Sequence, residues 1–368
     1  MIEVPFLDLK AAHLEIKPEL DAAFERVHAS GCYILGPEVE AFEDEFARFC
    51  GVRHAIGVAN GLAALQLALL AMGVDAGDEV IVPSNTFIAT WLAVSACGAV
   101  PVPVEPDAAT FNLDPALVER AITSRTKAVI PVHLYGQPAD LDPLLAIARA
   151  NGLSVLEDAA QAHGAQYRGR RIGGHGSAAA WSFYPGKNLG AMGDAGAITT
   201  DDEALAERLR LLRNYGSRHK YVHAVRGTNS RLDPLQAAIL RAKLAHLARW
   251  NDRRRQVAAT YLAALQGCRL VLPSVAPGCD PVWHLFVVRT GQRDALQAHL
   301  AGAGIATQIH YPIPPHMQGA YSDLAIDRDL LPIARDMADE VLSLPIGPHL
   351  SDAQVGHVCA TIQQWSRQ

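Results

Sequence analysis

Seven short runs, most of them rich in Val, Ile, Ala and Thr, recur between residues 54 and 200 with helical stretches between most of them, and this alternation constrains the chain more than any other feature. The runs are His54–Ala59, Glu79–Ser84, Val100–Pro106, Ala128–Leu134, Ser154–Ala159, Ala179–Tyr184 and Ala195–Thr200. Parallel neighbours need a crossover of a dozen or more residues, usually a helix, so the pattern predicts an α/β fold with a mainly parallel seven-stranded sheet covered on both faces. The last run follows its predecessor through a glycine-rich loop without a full crossover helix. An antiparallel pairing is therefore open to it.

The rest of the chain is read around that sheet. Helices are expected at Glu15–Ala29, at Glu38–Cys50 with Val39, Phe42, Phe46 and Phe49 on one stripe, and at Glu203–Leu212. Asp233 stands at an N-cap position and Pro234 at the first helical one, opening a long helix that is expected to run to about Arg255. There we divide the chain: 1–255 as the large domain with an N-terminal arm, 256–368 as a small α/β domain with a strand at Val282–Arg289 and a helix at Arg293–Ala303. With 368 residues, 50% hydrophobic and 19% charged, the chain can bury a large core.

Charge and cysteine usage narrow the class of partner. A net charge of −6 without a basic run argues against nucleic acid, and Arg253-Arg-Arg255 reads as the exposed face of a helix. The six cysteines are scattered, with no C-x-x-C pair, as in reduced cytoplasmic proteins. No export signal is expected from the N-terminus. The most apolar segment, Gly61–Val74, is short and contains Gln66, so it reads as a buried core helix and not a membrane span.

Chemistry concentrates at two places. Lys187 lies on a loop punctuated by Pro185, Gly186, Gly190, Gly193 and Gly196, directly after the apolar run ending at Tyr184. A lysine that loses water there favours its neutral amine and becomes a nucleophile toward carbonyls; the competing reading is an exposed loop lysine. Upstream, Glu157 and Asp158 fall at the carboxyl end of a buried strand, where α/β sheets open their ligand crevice. Asp158 is either a carboxylate partner for a cationic ring nitrogen or the N-cap of a following helix. Lysine and carboxylate together are what pyridoxal 5′-phosphate (PLP) requires, one for its Schiff base and one to keep its ring an electron sink.

Glu157-Asp-Ala-Ala-Gln-Ala-His-Gly164 together with Ser182-Phe-Tyr-Pro-Gly-Lys-Asn-Leu-Gly190 resembles the DegT/DnrJ/EryC1/StrS family of PLP-dependent nucleotide-sugar aminotransferases. The likeness extends from Val4-Pro-Phe-Leu-Asp-Leu9 to Val341-Leu-Ser-Leu-Pro345. It implies the fold of the aspartate-aminotransferase type (fold type I), with Lys187 carrying the Schiff base, Asp158 on the pyridine nitrogen, Gln161 on the ring hydroxyl and Ser182 on the phosphate. Gly61 and Leu62 match the pair that cradles the phosphate at a helix N-terminus, although the family more often has threonine at the second position. Phe87 matches a ring-stacking residue, with ordinary core as its alternative.

By the same resemblance Asn229 reaches the phosphate of a neighbouring subunit, which implies a homodimer with shared active sites. Tyr184, Lys220, His310, Tyr311 and His316 are candidate substrate contacts; the loop His310–His316 lacks the companion ligands of a metal site, and no metal is expected. Leu62, Val282-Trp-His-Leu-Phe286 and His310–His316 resemble the branch that aminates C3 of dTDP-linked 3-keto-6-deoxyhexoses, with L-glutamate as donor. The alternatives are amination at C4 of a 4-keto sugar and a non-catalytic PLP-binding sensor. Sugar dehydration, where family members carry histidine in place of the lysine, is disfavoured by Lys187, and a dinucleotide oxidoreductase by the absence of a G-x-G-x-x-G after the first run.

Overall fold

The computed structural model describes residues 2–324 and 326–367. All seven runs form strands: β1 (His54–Val58), β2 (Glu79–Pro83), β3 (Val100–Val104), β4 (Thr126–Val129), β5 (Ser154–Asp158), β6 (Ala178–Ser182) and β7 (Gly196–Thr200), in the spatial order β1-β7-β6-β5-β4-β2-β3. Neighbours from β6 through to β3 are parallel. β7 is antiparallel to both its partners, with Trp181 opposite Ala197 and Ile56 opposite Ile198. β4 stops at Val129, short of the expected Leu134, because Pro131 has no N–H for the ladder; only an isolated bridge from Val132 to Asp158 continues it.

Side-chain alternation splits the sheet between two cores. Ile56, Val58, Val80, Val82, Ala128, Ile130, Ala178 and Ala180 face one layer, where the helices Gly61–Ala71, Ile88–Ala96 and Glu203–Leu212 pack. Ala55, Ala179, Trp181 and Ala197 face the other, against Phe42 and Phe46 of the helix Pro37–Cys50, and Ile81 and Val129 continue that side against Val118 and Leu144. The helix Gly61–Ala71 buries Leu65, Leu67 and Leu69 on several faces, as an apolarity interrupted by Gln66 alone requires.

Three local expectations are corrected. The first helix is two, Leu9–Glu15 and Lys17–Ser30, because Pro18 suits a new first turn and not a helix interior. The long helix is also two, Pro234–Leu244 and Leu247–Ala264, the second passing straight through Arg255. The arginine triplet is not one exposed face, since successive residues on a helix are about 100° apart. Arg254 is buried, only 3% exposed, Arg253 pairs with Glu15 and Arg255 with Asp280.

Past that helix lies an antiparallel pair, β8 (Phe286–Arg289) and β9 (Val341–Leu344). Its core joins Tyr261 and Phe286 to Leu296 and Ile362, the last two from the helices Arg293–Gly302 and Asp352–Ser366. Val4 belongs to this same core and pairs with Ile305, so the N-terminal arm is tied to the far end of the chain.

Candidate active site

The parallel strands β2 to β6 all end on one edge of the sheet, and the sequence candidates gather there. Asp158 closes β5 and is buried, only 6% exposed. Its Oδ2 accepts the Thr90 hydroxyl at 2.9 Å and its Oδ1 accepts the Ala160 N–H at 3.2 Å. With the Thr90 proton so placed, the Thr86 hydroxyl donates to Thr90 at 2.9 Å. Burial pushes the Asp158 carboxyl up, opposed by these hydrogen bonds and by the Lys187 charge. Such a carboxylate lacks a full complement of positive charge, which a pyridinium would supply.

Lys187 stands on the loop between β6 and β7. Phe183 closes that loop on both sides, donating its N–H to Ala195 and accepting from Ala191, each at 2.8 Å. Gly190 is required because any Cβ would collide with the Pro185 carbonyl. Desolvation lowers the Lys187 amine to about 8, opposed by Asp158. The lysine and the carboxylate are thus coupled, and the exposed-lysine reading is set aside.

A corner suited to phosphate lies alongside. The Asn60 side chain and carbonyl take the N–H groups of Ala63 and Ala64, which leaves those of Gly61 and Leu62 for an outside acceptor. A Cβ on Gly61 would stand 2.6 Å from Ser182 Cβ, so glycine brings the helix terminus against the Ser182 side chain. Gln161, which is buried, accepts the Tyr135 N–H at 2.6 Å and donates to Tyr311 Oη at 3.1 Å. Tyr311 in turn lies 5.3 Å from the Phe87 ring, and Phe87 is 52% exposed: it is no core residue. His310 bonds Ser343 Oγ at 2.8 Å, and burial reinforced by Lys187 lowers it to about 4.

The remaining candidates are less gathered. Tyr184 is exposed at the start of the lysine loop, and His316 is buried with both ring nitrogens unpartnered among the described residues. Lys220 and Asn229 are exposed on the segment 213–229, where Lys220 Nζ lies over Tyr221 at 5.2 Å and Asn229 bridges to Asn214. Residues the sequence did not single out also enter. Thr90 reaches Asp158, His163 donates to the Ser182 carbonyl, and Asn188 meets His284 at 3.1 Å. From the N-terminal arm Phe6 stacks on His310 at 5.9 Å and Leu7 lies beside Gly186. His163, Asn188 and His284 sat within motifs already noted, but nothing local marked their partners.

Known proteins match this arrangement throughout. The description DegT/DnrJ/EryC1/StrS aminotransferase family fits residues 14–363. The erythromycin biosynthesis sensory transduction protein EryC1 of Saccharopolyspora erythraea is 60% identical over 98% of this chain and 99% of its own. The dTDP-3-amino-3,4,6-trideoxy-alpha-D-glucose transaminase of Streptomyces venezuelae is 59% identical over 99% of this chain and 96% of its own. The crystal structure of S. venezuelae DesV in complex with a ketimine intermediate, 59% identical, superposes with a TM-score of 0.99 and covers 100% of both chains. With the family description fitting residues 14–363 and relatives about 60% identical over nearly its whole length, the chain belongs to the DegT/DnrJ/EryC1/StrS aminotransferase family.

Proposed function

We propose that this protein is a PLP-dependent aminotransferase that moves an amino group from L-glutamate to C3 of a dTDP-linked 3-keto-6-deoxyhexose. The observation that carries the chemistry is the coupling of a half-buried Lys187 amine, lowered to about 8, with the buried carboxylate of Asp158 on one sheet edge. The choice of C3 rests on the likeness to the S. venezuelae transaminase. PLP, when bound, supplies an electron sink for the carbon that loses its proton.

The chain's own residues do the rest. At pH 7.5 an amine with a pKa of about 8 is roughly one quarter neutral, against about one part in a thousand at the ordinary lysine value. Lys187 holds the cofactor and, once released, takes the proton from Cα of the amino acid; in the second half-reaction it delivers a proton to C3 of the sugar. Asp158 keeps a positive charge on the ring nitrogen favourable, with Thr90 and Ala160 fixing its two oxygens. The Gly61 and Leu62 N–H groups and the Ser182 hydroxyl hold the phosphate; Leu62 offers backbone alone. Gln161 meets the ring hydroxyl, Phe87 stacks on the ring, and Tyr184, Lys220, His310, Tyr311 and His316 receive the nucleotide sugar.

The functional unit in this reading is a homodimer in which Asn229 of the partner subunit completes the phosphate site. Support comes from large apolar side chains left exposed around the site, among them Leu62, Phe87, Tyr184, Met192 and Tyr215. The division into a large domain, 1–255, and a small one, 256–368, is supported by the change of core along Leu247–Ala264: Leu247 packs with the sheet, Tyr261 with β8. Among the described residues no helix is long and apolar enough to cross a membrane, and cytoplasmic residence is part of the proposal.

The test is incubation with glutamate and either the dTDP-3-keto- or the dTDP-4-keto-6-deoxyhexose, with the amino position read by NMR. An amino group at C3 is expected. One at C4 moves the protein to the other branch, and no amination of any keto sugar, with cofactor bound, leaves the sensor reading.

A further inference from the structure

The amide of Asn188, a buried residue one position past Lys187, bonds three groups that are all remote in sequence. Its Nδ2 donates to Asn251 Oδ1 at 3.0 Å and to the Val282 carbonyl at 2.9 Å. Asn251 is itself oriented, since its Nδ2 donates to the His163 carbonyl at 2.8 Å. Asn188 Oδ1 is therefore the acceptor that faces His284 Nδ1 at 3.1 Å, so Nδ1 carries the hydrogen and Nε2 the lone pair. The His284 segment is held from the other side by Arg254, whose Nη1 donates to the carbonyls of Trp283, His284 and Ile346.

The titratable groups around His284 are Lys187, Arg254, His310 and His163, and burial together with the two cations holds the imidazole neutral. The ring thus acts as a fixed donor toward Asn188. Among the described residues Lys187 has no comparable anchor for its backbone beyond the Tyr184 carbonyl, 2.8 Å from its N–H. The next residue along is the one bolted to the helix Leu247–Ala264 and to the segment that enters β8.

We propose that Asn188 is a positioning residue for Lys187, and that the Asn188–His284 hydrogen bond is the part of this clamp that sets where the amine stands. The clamp makes the place of the lysine depend on the segment leading into β8. An amine that moves by roughly an ångström loses alignment with the carbon it must deprotonate. It also regains water, and its pKa climbs back toward the solution value. The proposal rests on Lys187 being the cofactor-bearing lysine.

Four variants separate the clamp from simple packing: Asn188→Ala, His284→Ala, His284→Asn and His284→Gln. Asparagine at 284 places an N–H close to where Nδ1 donates, whereas glutamine places its amide near Nε2 and loses the bond. Two readouts are taken, the pH midpoint of Lys187 modification in the cofactor-free protein by trinitrobenzenesulfonate with peptide mapping, and kcat and KM of the holoenzyme. Asn188→Ala, His284→Ala and His284→Gln are expected to raise the midpoint by about one unit. They are expected to lower kcat about tenfold with KM little changed. His284→Asn is expected to stay within about twofold of wild type, since it keeps the donor.

If glutamine restores function and asparagine does not, or if all four variants keep the wild-type midpoint and kcat, the proposal is overturned. Should Asn188→Ala fail to fold, the three His284 variants decide the matter by the same criteria. Borohydride reduction of the wild-type holoenzyme separates the two readings. A pyridoxyl label on another lysine sinks the function and the clamp together, whereas a label on Lys187 with indifferent variants sinks the clamp alone.

Discussion

Lys187 and Lys243 both hold amines lowered to about 8, and burial is the cause of each shift, yet the two sit in different surroundings. Lys243 is buried, only 3% exposed, donates to the Gly190 carbonyl at 2.6 Å, and lies 3.1 Å from His13 Nε2, a ring that burial and the Lys243 charge keep low. Lys187 is half-buried, shares its neighbourhood with Asp158, and stands at the open edge of the sheet. A depressed pKa therefore does not mark a catalytic lysine. Desolvation makes an amine neutral, but reactivity requires room for a substrate and a carboxylate to balance charge as it develops. The two are linked all the same, because Lys243 holds the far end of the loop that carries Lys187.

The contrast is broken most directly by deleting the Lys187 amine. Lys187→Ala is expected to lower turnover by about a thousandfold or more and to abolish borohydride-fixed cofactor, with the thermal midpoint little changed. If Lys243→Met did this and Lys187→Ala did not, the assignment would be reversed. Next in size is Asp158→Asn, with an expected loss in kcat of about a hundredfold. Because Asp158 raises the Lys187 amine, the same change is expected to move that amine below about 8, read by pH-dependent labelling of the cofactor-free protein. An unchanged amine would show that the two groups are not coupled.

Lys243→Met sharpens the structural side. Turnover is expected to remain within about tenfold, while stability falls by about 1–3 kcal/mol because the Gly190 carbonyl loses its donor. The sign of the pH effect follows from linkage. Between about 8 and the ordinary value of 10.5 the unfolded chain holds a proton on Lys243 that the folded chain has released, so this contribution to stability is complete above 10.5 and lost as pH falls through about 8. Wild type minus Lys243→Met in urea melts across that window is expected to grow with pH. A flat difference would mean that the buried amine is not depressed.

The smallest effect is expected from Leu62→Thr. A hydroxyl at the helix N-terminus adds one hydrogen bond to the phosphate, tightening cofactor binding by about fivefold or less, measured by equilibrium dialysis. A loss of binding would mean that Leu62 packs against something other than the phosphate corner.

Most of the sheet was legible beforehand because each strand is a short apolar run, buried on both faces, between its own boundary residues. The antiparallel placing of β7 could be read as an open option from a loop too short for a crossover. Asp158 and Lys187 were legible for a related reason, since a strand end and a glycine-rich loop are local features. Helix breaks were harder. Nothing at Ala245–His246 interrupts apolar periodicity, and the triplet Arg253–Arg255 looked uniform until the helix turned its middle member inward to three carbonyls.

By itself, then, the order of residues determined the alternation of strand and helix, the two cores and the positions of the lysine and its carboxylate, because periodicity, turn chemistry and burial act over a few residues. Only the tertiary structure decided which groups orient them. Thr90 reaches Asp158 across 68 residues and His284 reaches Asn188 across 96. A hydrogen bond between such distant groups depends on how the strand ends and the segment entering β8 come together, and no local pattern encodes that closure.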